Sequence, residues 1–333
     1  MRVESAEKSV APSSSFVPPR DGVEPVHLDE PADDHPRFRH IRFAGTRAVP
    51  VALSGEIGNT PAKCSQLSPP PAEEIEDYPM EQVAFVRRIL RMAGIRAEGY
   101  RITPLVRRIP ACLRALRARD MDSADRIAAN DPNRLQIGVN ALLIGTTSFF
   151  RDTTVFHELD QRIVPELLTR CAKPQVWSAA CSDGSELSSV AMLFAKHGGL
   201  DRTRFLGTDC RPSAIGRAIE GSYPVEAADL FPADLRERFL RRDDKHCRLQ
   251  PVISTRLEWK LADLLAETEG TGWNLILCRN LAIYLSPHQA RQLWLQLHAS
   301  LAPGGYLVVG KAEKPEIDGL HRASSCIYRK DAS

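Results

Sequence analysis

Val176-Trp-Ser-Ala-Ala-Cys-Ser-Asp-Gly-Ser-Glu-Leu-Ser-Ser-Val190 is the stretch whose reading decides the fold. An apolar run ends at Ala180, a polar turn follows with Gly184 at its apex, and helical spacing begins after it. A second apolar run, Phe205-Leu-Gly-Thr, ends in Asp209 about 25 residues further on. A βαβ unit holds an adenosine in this layout. Its turn and helix start meet one end of the ligand, and a carboxylate at the next strand end takes the ribose hydroxyls. The turn has one glycine where dinucleotide loops have three, so an ordinary α/β turn is a second reading.

Downstream the alternation continues. Val176–Ala180, Phe205–Thr208, Asn274–Cys278 and Tyr306–Gly310 read as strands, with helices starting near Ser185, near Arg211 and at Ser286. Ser286 at N-cap, Pro287 at N1 and Gln289 at N3 spell a capping box before Leu293, Leu297 and Leu301. This alternation predicts an α/β domain with a mainly parallel sheet covered by helices on both faces. Between Phe231 and Trp259 it stops, and Arg248–Ser254 and Arg256–Lys260 are expected as short inserted antiparallel strands.

Upstream, Val83, Val86, Ile89, Leu90 and Ala93 recur at helical spacing, with Gly94 as a stop. A second helix is expected from Pro110 to about Arg119, and two more over Asp122–Asn130 and Pro132–Leu143. They make a small all-α domain. Between Ala84 and Arg119 it carries ten arginines and one acid, Glu98. Arg107, Arg108, Arg114 and Arg117 are expected on one helix face, where such charge creates a potential of several kT. No aromatic stacking platform accompanies them, which argues against nucleic acid. A solvated basic face and a docking face for an acidic protein both remain. Residues 1–77 hold a serine run, an acidic run and Pro69-Pro-Pro, with periodicity only in a short strand or two between His40 and Leu53. They are expected to be a disordered extension.

The remaining composition is that of an ordinary globular chain. Its 333 residues are 43% hydrophobic and 26% charged, with net charge +2, which calls for no polyanionic partner. No apolar run reaches the roughly 18 residues of a membrane span. The first 30 residues show no apolar signal core. The eight cysteines, at 64, 112, 171, 181, 210, 247, 278 and 326, form no C-x-x-C pair. Such thiols suit a reduced, cytoplasmic compartment and make a metal site unexpected.

Two further stretches carry chemistry. In Gly145-Thr-Thr-Ser-Phe-Phe-Arg-Asp152 the rings either plug a domain hinge or anchor Arg151 towards the cleft of the following domain. In Cys278-Arg-Asn-Leu-Ala-Ile-Tyr284 an apolar strand delivers Arg279, Asn280 and Tyr284 at its carboxyl end, where open α/β sheets bind ligands. Tyr284 could also be a core ring with its hydroxyl on a carbonyl.

Phe149-Phe-Arg-Asp, Val176-Trp-Ser-Ala-Ala-Cys-Ser-x-Gly-x-Glu, Thr208-Asp209, Leu277-Cys-Arg-Asn-x-x-Ile-Tyr and Pro303-Gly-Gly-Tyr-Leu, in this order and spacing, resemble the CheR family of chemoreceptor glutamate methyltransferases. The resemblance runs from about residue 80 to 331. It implies a helical domain over 78–145 and a Rossmann-like S-adenosylmethionine (AdoMet) domain over 146–333, with a β-subdomain inserted at about 231–260. It implies that Thr147 and Arg151 lie beside the methionine end of the cofactor, that Glu186 takes its amino group and that Asp209 takes the ribose hydroxyls. Asp263 falls near the adenine, Arg279 and Asn280 line the site, and Tyr284 faces the transferred methyl. The product would be S-adenosylhomocysteine (AdoHcy), and the partner an acidic chemoreceptor helix met by the arginine-rich domain of a monomer.

The chain departs from the family pattern at Gly145, usually Asn; at Ser185–Ser189, where the family has Glu-Glu-Pro-Tyr-Ser; and at Lys311-Ala312-Glu313, usually His-Ser-Glu. Catalysis of receptor methylation therefore stands beside two alternatives, an AdoMet-binding regulator with weak or no catalysis and a methyltransferase with a different acceptor. Asp209→Ala is expected to abolish AdoMet binding measured by calorimetry; binding as tight as wild type would contradict the site assignment.

Overall fold

The computed structural model describes residues 78–143 and 145–332, which belong to one compact unit. The expectations for residues 1–77, including the strands between His40 and Leu53, lie outside the described residues.

The helical layer comprises α1 (Met80–Met92), α2 (Ile102–Val106), α3 (Ile109–Leu116), α4 (Met121–Asn130) and α5 (Pro132–Leu142). Helix α1 buries Val83, Phe85, Val86, Ile89 and Leu90. Helix α3 stops at Arg117, which is left-handed at φ 52°, earlier than the expected end at Arg119. Asp120 then opens α4 with a reciprocal cap to Ser123, whose N–H donates to the carboxylate at 2.7 Å. Arg107, Arg114 and Arg117 are exposed. Arg108 corrects the expectation of a single basic face: it is half-buried and its Nε donates to the Ala141 carbonyl at 2.6 Å. Arg107 and Arg108 form the junction between α2 and α3 rather than successive positions on one helix, so their side chains diverge.

After the 145–152 linker, α6 (Thr153–Glu158) passes through a π-turn at Leu159–Ile163 into α7 (Val164–Arg170). The βα alternation then runs β1 (Gln175–Ala179), α8 (Ser185–Lys196), β2 (Arg204–Asp209) and α9 (Pro212–Glu220). An excursion follows through β3 (Ser222–Pro224), α10 (Ala233–Phe239), β4 (Leu240–Arg242), β5 (His246–Leu249) and α11 (Pro251–Ser254). The chain returns as β6 (Leu257–Leu261), β7 (Trp273–Cys278), α12 (Pro287–Ser300), β8 (Leu301–Val309), β9 (Leu320–Arg322) and β10 (Ile327–Lys330).

Seven strands form the main sheet in the order β6-β2-β1-β7-β8-β10-β9. The first five are parallel, and β10 is antiparallel to both of its neighbours. Strand order reverses between β1 and β7, the switch point outside whose carboxyl ends α/β proteins bind ligands. Strand residues alternate between two apolar clusters. Val176, Leu275, Leu277 and Val308 pack with α7 and α8, whereas Trp177, Ile276, Cys278 and Leu307 pack with α12 and the helical layer. The helical layer is thereby fixed to the sheet by shared core. Two main-chain bonds reinforce it: Arg101 N–H donates to the Tyr284 carbonyl at 2.8 Å and Ser286 N–H to that of Gly99 at 3.0 Å. Only half of the expected capping box forms at Ser286, whose hydroxyl accepts from Gln289 N–H, because its own N–H is taken by Gly99.

The inserted sheet also differs from expectation. Its three antiparallel strands are β3, β5 and β4, so it begins before residue 231, and only Arg248 and Leu249 of the expected 248–254 strand belong to it. Pro251 fixes φ and lacks an N–H, and a helical turn replaces the rest. Leu257–Leu261 is not part of the insertion but the parallel edge strand of the main sheet, in register with Phe205–Asp209. Exposed Glu258 and Lys260 suit such an edge, where charge discourages further pairing.

This edge strand delivers Trp259 against the turn after β1. Gly184 sits at φ +83°, and a Cβ there would lie 2.5 Å from the Trp259 ring. Gly184→Ala is therefore expected to cost about 2–4 kcal/mol, from left-handed strain and overpacking together. Urea unfolding measures this, and an unchanged midpoint would contradict the packing.

Candidate active site

Every site residue expected from the sequence lies on one cleft. Glu186 comes from the first turn of α8 and Asp209 from the end of β2. Asp263 follows β6, while Arg279, Asn280 and Tyr284 follow β7. Thr147 and Arg151 enter from the linker, and Tyr100, Arg108 and Leu142 of the helical layer form the opposite wall.

Arg279 is the electrostatic centre. It is 9% exposed, its Nη1 donates to Glu186 Oε2 at 3.0 Å and its Nη2 pairs with Asp152 and donates to the Arg151 carbonyl at 3.0 Å. Glu186 also accepts from the Ser178 hydroxyl at 2.9 Å, and its place in the first turn of α8 adds the favourable helix dipole. Lys311 pairs with the other Asp152 oxygen at 2.8 Å. Burial would raise the Asp152 pKa, but Lys311, Arg279 and Arg151 outweigh it and hold the carboxyl below its usual range.

The linker rings combine the two sequence readings. Phe149 meets Tyr223 edge-on and Phe231 at a tilt, with ring centroids 4.6 and 4.3 Å away, and Phe150 meets Phe156 and Phe231 edge-on at 5.4 Å. They are buried plugs, and they hold Arg151 at the cleft, where its Nη1 donates to the Thr146 carbonyl at 2.9 Å. Backbone strain concentrates here. Phe150, Asp152, Ala180, Ser182 and Asn280 all have positive φ; among the described non-glycine residues only Arg117 shares it away from the cleft. Such strain persists only where surrounding structure enforces it.

Three further residues went unassigned in the sequence. Glu313 is buried and accepts from the backbone N–H of Asn280 at 2.9 Å, Ala282 at 2.8 Å and Gly310 at 2.6 Å, fixing the loop after β7. Its place in Lys311-Ala-Glu313 marked a departure from a pattern, not a contact. Arg211 is buried against Asp209, and Ser182 donates its N–H to the same carboxylate at 2.9 Å. Position alone signalled them, since each lies within three residues of a strand end. The nearby thiols are held in their protonated form: burial, then Asp209, pushes Cys210 up to about 12, and burial raises Cys181 well above its ordinary value.

A carboxylate at the start of α8 and another at the end of the neighbouring β2 suit a ligand with a cationic amino group at one end and a ribose diol further along. Glu186 spends one bond per oxygen on protein donors and retains acceptor capacity for an ammonium. Fold and cleft suit an S-adenosylmethionine-dependent methyltransferase, and the family match makes the chain one. Residues 145–326 match the family described as CheR methyltransferase, SAM binding domain. The chain belongs to that family. It is 28% identical over 261 residues to a chemotaxis protein methyltransferase of Listeria monocytogenes, covering 77% of this chain and 99% of the relative. It is 33% identical over 189 residues to chemotaxis protein methyltransferase 1 of Pseudomonas aeruginosa, covering 53% of this chain and 68% of that one. Among the described residues no helix is long and apolar enough to cross a membrane.

The ion pairs set an acid limit. In Asp152, Asp160 and Glu166 burial raises the pKa, but cationic and hydrogen-bonding partners outweigh it and lower it below the ordinary value. Groups depressed in the folded state contribute stability that is complete above the ordinary carboxylate range of about 4 and is lost as pH falls through their folded values. The melting temperature is expected to be flat between roughly pH 6 and 7 and to fall steadily below about pH 4. A melting temperature unchanged between pH 7 and 3 would contradict this.

Proposed function

We propose that this protein methylates glutamate side chains on the cytoplasmic helices of a chemoreceptor, forming methyl esters. The observation that carries this reading is the convergence of Glu186, Asp209, Arg279, Asn280, Arg151 and Tyr284 on one cleft at the switch point of the sheet.

S-adenosylmethionine supplies an electrophilic methyl group and leaves as S-adenosylhomocysteine. Glu186 would hold its amino group, Asp209 its ribose hydroxyls and Asp263, whose Oδ1 accepts from Leu265 N–H at 2.9 Å, its adenine. Thr147, Arg279 and Asn280 complete the walls. A substrate glutamate is already ionised at pH 7, so no general base is needed. The protein's task is alignment and exclusion of water, and positioning of this kind supplies on the order of 7–11 kcal/mol. Arg151, anchored by its buried neighbours, orients the attacking carboxylate. Tyr284 holds the line of approach with its ring against the cleft.

The exposed Arg107, Arg114 and Arg117 give the helical layer a basic rim. That rim suits an acidic receptor helix, steering it by long-range attraction that weakens with salt. The protein acts in this reading as a cytoplasmic monomer, without nucleic acid.

Incubation with methyl-labelled AdoMet and receptor-bearing membranes tests the proposal. Base-labile label on the receptor band is expected, with Arg151→Ala reducing its rate by roughly a hundredfold, about 2.7 kcal/mol. Cofactor binding without transfer to any membrane protein would overturn the reading and favour a regulatory AdoMet-binding protein. Label on a different protein would point to another acceptor.

A further inference from the structure

We propose that Arg211 sets the cofactor affinity of this cleft, acting as a latch whose guanidinium occupies Asp209 and must leave before a ribose diol can bind. The inference rests on the reading of Asp209 as the ribose acid.

An ionised carboxylate offers about four lone-pair sites. All four at Asp209 are taken. Oδ1 accepts from the backbone N–H and the Nε–H of Arg211, both at 3.0 Å. Oδ2 accepts from Ser182 N–H at 2.9 Å and from Arg211 Nη2 at 3.1 Å. The two backbone donors are held by the fold. The Cys181 N–H preceding Ser182 is bonded to the Thr208 carbonyl at 2.8 Å. At the start of α9, Ser213 is tied to Asn140 of α5 at 2.8 Å. Only the side chain of Arg211 can yield, and a vicinal diol needs the two sites it fills.

Gly145 makes room for this arrangement. A Cβ on Gly145 would overlap Cζ, Nη1 and Nη2 of Arg211 together, so the guanidinium could not stay where it is. The same segment braces it. Arg211 Nη2 also donates to the Ser182 hydroxyl at 3.3 Å, and that hydroxyl donates to the Gly145 carbonyl at 2.6 Å. Arg211 is 6% exposed, so its pair with Asp209 is a desolvated, charge-assisted one. A ligand that binds only the unlatched state sees its apparent affinity reduced by the fraction of protein in that state. Gly145 and Arg211 are thus one device.

Calorimetry with AdoHcy, adenosine and 2′,3′-dideoxyadenosine tests the latch on wild type, Arg211→Ala, Gly145→Ala and the double variant. Gly145 is not at positive φ, so alanine fits its backbone. The latch predicts that either substitution tightens AdoHcy and adenosine about tenfold or more, the scale of a lost hydrogen bond to a charge. The dideoxy compound, which needs neither site, should bind all four proteins alike, and the double variant should gain no more than Arg211→Ala alone. Weaker or unchanged AdoHcy binding by Gly145→Ala would overturn the latch, as would a parallel loss for the dideoxy compound in Arg211→Ala. Should Arg211→Ala fail to fold, Gly145→Ala decides alone, because it keeps the arginine. Failure of every protein, wild type included, to bind AdoHcy would overturn the ribose assignment of Asp209 itself.

Discussion

A buried guanidinium that must be neutralised constrains this structure more than any other group. An uncompensated charge in a protein interior costs several kcal/mol, and removing one partner of a buried pair is more damaging than never having had it. Arg279 meets that demand with Glu186 and Asp152, which come from two segments distant in sequence. Strand β7, the first turn of α8 and the Phe149–Asp152 linker are therefore locked in one arrangement. Arg151, Glu186, Arg279 and Asn280 sit on or beside those segments, so this part of the cleft is organised before any ligand arrives. The positive φ values at Phe150, Asp152 and Asn280 are what that lock enforces on the backbone.

Much of this was legible in the sequence because it rests on local signals. The strand–turn–helix at Val176–Val190, the acid at the end of β2 and the polar trio after β7 each follow from periodicity and position. The Arg279 lock was not legible. Nothing in Cys278-Arg-Asn shows that its guanidinium turns back to Glu186, 93 residues earlier in the chain. The misreading of Leu257–Leu261 has a related cause. A short strand with charged residues on its outer side has the same pattern in a surface hairpin as at a parallel edge, and only the long excursion before it separates the two. Arg108 turned inward because a break between α2 and α3 reset the helical phase, which charge counting cannot detect.

The serine-rich turn is fully organised. Ser185 donates its N–H and its hydroxyl to Asp183, at 3.1 and 2.6 Å, while the hydroxyls of Ser188 and Ser189 donate to the carbonyls of Gly184 and Ser185. Ser189 also accepts from Phe150 N–H at 3.1 Å, which ties the turn to the linker that carries Arg151. These hydroxyls close the turn from which Glu186 emerges.

A crystal structure of the AdoHcy complex tests the central claim most directly. The ribose hydroxyls are expected on Asp209, the amino group on Glu186 and the guanidinium of Arg211 away from Asp209, with Arg279 still bridging Glu186 and Asp152. A complex in which Arg211 remains on Asp209 while the nucleoside lies elsewhere, or in which the Arg279 bridge has opened, would contradict it.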